Sequence, residues 1–179
     1  IGARGGEIQN LLLKTTGDGS AHADVIGGTG SGKSNLLHTI IMNACYKYSP
    51  EDLNLYLVDF KGGVEFKFYE ANKDVSKQLP HIKLTGLTSD FEDGVAILNN
   101  VHKELRRRED LFRQNNVEDI VQYKSLGLKM ARLFIIIDEI QGTQRGVAGI
   151  HPVAYNLGLD GGISLIKTSQ NLQSRLPTE

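Results

Sequence analysis

Gly27-Gly28-Thr29-Gly30-Ser31-Gly32-Lys33-Ser34 is the stretch on which the reading of this chain turns. Before it runs the apolar Asp24-Val25-Ile26, and after it Leu36, Leu37, Ile40, Ile41 and Ala44 recur at helical spacing. The order is strand, glycine loop, helix. A Gly-x-x-x-x-Gly-Lys-Ser run in that setting is the phosphate-binding P-loop. Its glycines let backbone N–H groups turn inward around phosphates without clashes from Cβ atoms. Lys33 would reach the β and γ phosphates, and Ser34 would hold Mg²⁺ through its hydroxyl.

Further along, Leu133-Phe134-Ile135-Ile136-Ile137 is apolar at every position, as a strand covered on both faces is, and ends in Asp138 and Glu139. This has the form of a Walker B strand, with Asp138 organising the Mg²⁺ shell and Glu139 orienting or deprotonating the attacking water. Leu53 to Phe60 and His81 to Leu87 read as two more strands, the second closing on the helix-capping Thr88-Ser89-Asp90. From Phe91 to Gln114 the positions Val95, Leu98, Val101, Leu105 and Leu111 or Phe112 mark a long amphipathic helix. Lys103, Glu104, Arg106, Arg107, Arg108 and Glu109 fill its other face, and a mixed-sign face of this kind is normally solvated. Val117 to Leu126 suggests a shorter helix, Ile163 to Ile166 a last strand running into Lys167-Thr168-Ser169-Gln170, and Ile1 to Asp24 an opening β segment with a turn at Gly17-Asp18-Gly19.

Composition narrows the class without naming it. The 179 residues include 20 Gly and 4 Pro and are 40% hydrophobic and 23% charged, the profile of one globular domain and neither a disordered nor a collagen-like chain. Twenty Lys and Arg face 21 Asp and Glu, a net charge of -1, so any nucleic-acid or anionic-membrane contact must be local. No apolar run approaches the roughly 20 residues of a membrane helix. The single cysteine, Cys45, forms no internal disulfide and reads as a small core or helix residue. His22, His38, His81, His102 and His151 lack metal-ligand spacing, and surface or capping roles are expected of them. The chain starts at Ile1 without Met or a signal-like segment, so residues 1–179 are expected to be one domain cut from a longer polypeptide.

Four of these stretches together resemble the FtsK/SpoIIIE type of P-loop ATPase in the FtsK-HerA branch: Gly27 to Ser34, Leu57-Val58-Asp59-Phe60-Lys61-Gly62-Gly63, Lys103-Glu104-Leu105-Arg106-Arg107-Arg108 and Ile136-Ile137-Asp138-Glu139. The Asp59 to Gly63 stretch, the Arg-rich helix running to Asn115-Asn116-Val117, and Gln122-Tyr123 look closest to the multi-ATPase EssC/EccC proteins of type VII secretion. In that family the strand after Walker B ends in a polar Gln near the γ phosphate, and Gln170 is the matching position. The resemblance weakens after Gln141. Where the family has an Arg-containing Gly turn, this chain reads Leu159-Asp160-Gly161-Gly162-Ile163-Ser164, and Arg145 is the nearest upstream arginine.

The expected fold is therefore α/β, a RecA-like P-loop NTPase with a three-layer sandwich and a mostly parallel sheet built from strands near Val25, Leu57, Leu84, Ile136 and Leu165. The expected site is Lys33, Glu139 and Gln170 for catalysis, Gly27, Gly28, Thr29, Gly30, Ser31, Gly32, Lys33, Ser34 and Asp138 for ATP, with Ser34 and Asp138 on Mg²⁺. The resemblance implies a motor working with neighbouring ATPase domains in a hexameric ring or tandem stack, on a secreted protein or on double-stranded DNA. It also implies a cytoplasmic domain that makes no membrane contact itself and is held at the inner face of the membrane by other parts of the chain. A regulatory ATP-binding module with negligible hydrolysis is the alternative.

Overall fold

Alternation of side chains along each strand decides which face every element covers. The computed structural model describes residues 2–4, 6–11, 13, 21–60, 63–70, 78–87, 91–139 and 161–169. Strands β1 (Gly2–Arg4) and β2 (Glu7–Gln9) form a small antiparallel ribbon. Five further strands form one parallel sheet: β3 (Ala23–Ile26), β4 (Leu53–Asp59), β5 (Ile82–Leu87), β6 (Arg132–Asp138) and β7 (Ile163–Ser169). Their order is β3-β7-β6-β4-β5, so the last strand inserts between the glycine-loop strand and the strand ending in Asp138.

The layers follow from parity. Leu53, Leu55 and Leu57 of β4, Ile136 of β6 and Ile166 of β7 face helix α1 (Lys33–Lys47), which contributes Leu37, Ile40, Ile41 and Ala44. Val58, Leu133, Ile135, Ile137, Ile163 and Leu165 point the other way, onto Ile97, Val101 and Leu105 of helix α2 (Phe91–Gln114). A helix on each face of a parallel sheet gives the three-layer α/β architecture the sequence predicts.

Some boundaries and burials differ from expectation. β7 extends to Ser169, and helix α3 (Ile120–Ser125) is shorter than the stretch from Val117 to Leu126 because the Asp119 carboxylate caps it, accepting from the Gln122 N–H at 2.7 Å. Arg108 does not lie on a solvated face. It occupies the same helical stripe as Val101, Leu105 and Phe112, where its side chain is 3% exposed. Its guanidinium donates to Glu104, to the Ala131 carbonyl just before β6 and to the Gly161 carbonyl just before β7. Thr88-Ser89-Asp90 and Gly17-Asp18-Gly19 lie outside the described residues.

Candidate functional site

Because the five strands are parallel, their carboxyl ends form one edge of the sheet, the place where open α/β sheets take ligands. Register aligns Asp59 with Asp138, Ile137 with Lys167 and Ile26 with Ser169, and the Gly27 N–H continues the ladder onto the Ser169 carbonyl at 3.2 Å. Parity then places Asp59, Asp138 and Thr168 on the same face as Leu57, Ile136 and Ile166, the face covered by α1. Ser34, in the first turn of α1, therefore stands over the side of the sheet that carries the acids.

The loop between β3 and α1 owes its shape to two glycines. Gly30 and Gly32 have φ of 77° and 89°, the left-handed region that residues with a Cβ adopt only under strain. Gly32 is the N-cap of α1 and leaves the helix start without a side-chain cap, and no acidic residue occupies the first turn. The helix thus presents unopposed N–H groups and its positive dipole end. Lys33 folds back over the loop, its Nζ donating to the Gly27 carbonyl at 2.7 Å and the Gly28 carbonyl at 3.0 Å. Gly28 itself has ample space for a Cβ and no unusual φ, so this loop shape alone does not demand glycine there.

Opposite the loop, Asp138 is 3% exposed and Asp59 is fully buried. Burial pushes the Asp138 carboxyl above its ordinary value; the Thr168 hydrogen bond opposes the rise, and the charges of Asp59, Glu139 and Glu65 add to it. Asp59 accepts the Glu65 N–H at 3.0 Å, which pins the segment after β4 to the sheet edge. That segment reaches α1 through His38, whose Nδ1 hydrogen-bonds the Tyr69 hydroxyl at 2.8 Å. Glu139, immediately after β6, has φ of 56° and donates its N–H to Thr168 Oγ1 at 2.9 Å. The Thr168 hydroxyl in turn donates to Asp138 Oδ1. Ser34 Oγ and the Asp138 carboxylate are hard oxygen donors, and a buried carboxylate crowded by like charges favours a cation beside it. The residues present fit Mg²⁺.

The FtsK/SpoIIIE family model matches residues 1–178. This chain belongs to the FtsK/SpoIIIE family. It is 32% identical to the ESX secretion system protein EccC of Thermomonospora curvata, over 94% of this chain and 13% of that protein. It is 33% identical to the type VII secretion system protein EssC of Staphylococcus aureus (strain NCTC 8325 / PS 47), over 78% of this chain and 9% of that protein. Among solved structures, the cytoplasmic domain of the Thermomonospora curvata type VII secretion ATPase EccC aligns with a TM-score of 0.76 at 30% identity, covering 90% of this chain and 20% of that one. The pCW3 conjugation coupling protein TcpA, in its monomer form with ATPγS, shares the fold with a TM-score of 0.60 at 24% identity, covering 83% of this chain and 42% of that one. The chain thus spans roughly a tenth of the length of these curated relatives.

Within this family fold, the described residues singled out from sequence separate into two groups. Gly27 to Ser34, Asp59, Asp138 and Glu139 converge on one sheet edge. Gln170, Lys61 and Arg145 lie outside the described residues, though Gln170 directly follows β7. Lys103 to Arg108 and Gln122-Tyr123 stand apart from that edge. Arg108 ties α2 to the starts of β6 and β7, and Tyr123 packs on Phe112 with ring centroids 5.6 Å apart. Arg108 and Tyr123 are thus architectural, while Lys103, Arg106, Arg107 and Gln122 are exposed. His81 is buried and takes the capping role rather than a surface one, with Nε2 on the carbonyl of Tyr48, the C-cap of α1, at 2.8 Å. Sequence reasoning missed Thr168, which stands between Lys167 and Ser169 in the polar end of β7 and carries no distinguishing sequence signal. Among the described residues no helix is long and apolar enough to cross a membrane.

Proposed function

We propose that this domain binds ATP with Mg²⁺ and hydrolyses it as one motor of a larger chain that moves protein in a type VII-like secretion pathway. The observation that carries this reading is the facing arrangement of a lysine-capped glycine loop at an uncapped helix start and a buried Asp138 on the same side of one sheet edge. On binding, the Lys33 ammonium exchanges the Gly27 and Gly28 carbonyls for β and γ phosphate oxygens, and the loop N–H groups close around the phosphates. Ser34 and Asp138 hold the ion, which supplies charge neutralisation across the phosphates when bound. Glu139 orients the attacking water and accepts its proton, and Gln170, by the family resemblance, contacts the γ phosphate. The family's secretion relatives support a protein cargo, and stimulation of turnover by double-stranded DNA rather than by a secreted protein would reverse that part of the reading.

Calorimetric titration with Mg-ATP tests the site. Lys33→Ala removes the ammonium that binding moves from two neutral carbonyls onto charged phosphate oxygens, so affinity is expected to fall by about 10-fold or more, roughly the worth of one charge-assisted hydrogen bond. Glu139→Gln is expected to keep affinity and lose turnover by about 100-fold or more. Undiminished affinity in Lys33→Ala would overturn the nucleotide site. Tight binding with negligible turnover in every assembly would favour the regulatory module instead.

A further inference from the structure

Thr168 makes one hydroxyl serve both acids of the proposed site. A threonine hydroxyl carries one proton and two acceptor lone pairs. Here the proton goes to Asp138 Oδ1, and a lone pair receives the Glu139 N–H at 2.9 Å. Thr168 is fully buried, so no water stands ready to replace either bond. Glu139 holds a φ of 56°, a conformation that a residue with a side chain keeps only when its surroundings over-determine it. The Thr168 hydroxyl is the partner that its N–H finds in that conformation. Asp138 sits among the like charges of Asp59, Glu139 and Glu65, and the hydroxyl is a neutral donor aimed at one of its oxygens.

We infer that Thr168 is a positioning residue of the motor site, holding the Asp138 carboxylate in its metal-binding orientation and the Glu139 backbone in its left-handed turn. The inference rests on the proposed Mg-ATP site. The hydroxyl fixes one Asp138 oxygen toward β7 and leaves the other to the ion, the part that hydrogen-bonded partners of metal ligands play. The same hydroxyl sets the turn from which the Glu139 side chain departs. Since Thr168 lies on β7, a shift of that strand would move together Asp138, which ends β6, and Glu139, which follows it.

The experiment uses the full chain with Thr168→Val, which keeps the shape and removes the hydroxyl, and Thr168→Ser, which restores it. The first readout is the Mg²⁺ concentration at half-saturation of ATPγS binding, with nucleotide affinity in EDTA as the reference. Thr168→Val is expected to raise that Mg²⁺ midpoint about 10-fold or more, within the range for lost partners of metal ligands, and to leave affinity in EDTA within about twofold. Thr168→Ser is expected to return the midpoint to within about threefold of the parent. The second readout is amide hydrogen exchange at Glu139 without metal, expected to quicken about 10-fold or more in Thr168→Val and to recover in Thr168→Ser. An unmoved midpoint in Thr168→Val, or a Thr168→Ser as defective as Thr168→Val, would overturn the inference. A parent that bound ATPγS without any response to Mg²⁺ would remove the metal site itself, and the inference with it. Should Thr168→Val fail to fold, Thr168→Ala in the same titration decides, with the same expected shift.

Discussion

Arg107 and Arg108 hold the same carboxylate, and removing each in turn should separate an exposed ion pair from a buried clamp. Arg107 reaches Glu104 through two hydrogen bonds of 2.7 and 2.8 Å, but its side chain is 55% exposed. Solvent screening limits such a pair to roughly 0.5 kcal/mol. Arg108 is 3% exposed and donates to Glu104 at 2.9 Å and to the Gly161 and Ala131 carbonyls at 2.8 Å each. Taking one partner from a buried pair costs about 3 to 5 kcal/mol. The low end, about 3 kcal/mol, applies here because Glu104 keeps Arg107, and because burial already pulls the Arg108 guanidinium below its ordinary value against the pull of Glu104. Burial alone would raise the Glu104 carboxyl, yet the hydrogen bonds and charges of the two arginines outweigh it and hold it below its ordinary value. Methionine keeps most of the side-chain volume, so Arg108→Met isolates the polar contribution. In urea unfolding followed by circular dichroism, with a slope of about 2 kcal/mol per molar, the midpoint should fall by about 1.5 M for Arg108→Met and about 0.25 M for Arg107→Met. Equal shifts for the two variants would refute the reasoning, since burial and the two backbone carbonyls set Arg108 apart from Arg107.

Two further outcomes are expected. Asp138→Asn should raise the melting temperature of the metal-free protein at neutral pH. The folded carboxyl titrates above its ordinary value of 3.8, so its ionisation opposes folding. The gain should fade as the pH falls through the folded value toward 3.8, and Mg-nucleotide should reverse the order of the two proteins; a melting temperature unchanged at neutral pH would count against the burial argument. Turnover per chain should rise with protein concentration or on adding adjoining domains, and stay below about 0.01 per second for dilute monomer, because the turn before Ile163 offers no arginine to the γ phosphate. A concentration-independent rate above about one per second from a verified monomer would mean that Arg145 or another residue of this chain completes the site.

The sequence alone determined the parts of this protein whose cause is local. The glycine loop, its helix, the five strand segments and the 24-residue span of α2 were legible in the glycine pattern and the hydrophobic period, while the sheet was expected to be only mostly parallel. It also supplied the acids, since Asp138 and Glu139 end an unbroken apolar run. What it did not contain was the lateral order of the strands, which depends on pairings between segments far apart in the chain. Only that order inserts β7 between β3 and β6 and so brings Thr168 against Asp138 and Glu139. Arg108 is the converse case: its place in the stripe of Val101, Leu105 and Phe112 was visible, but its charge argued for solvent. The fold overrode that argument because two strand-start carbonyls and Glu104 converge on the guanidinium, and a buried charge is tolerated when it is paired and hydrogen-bonded.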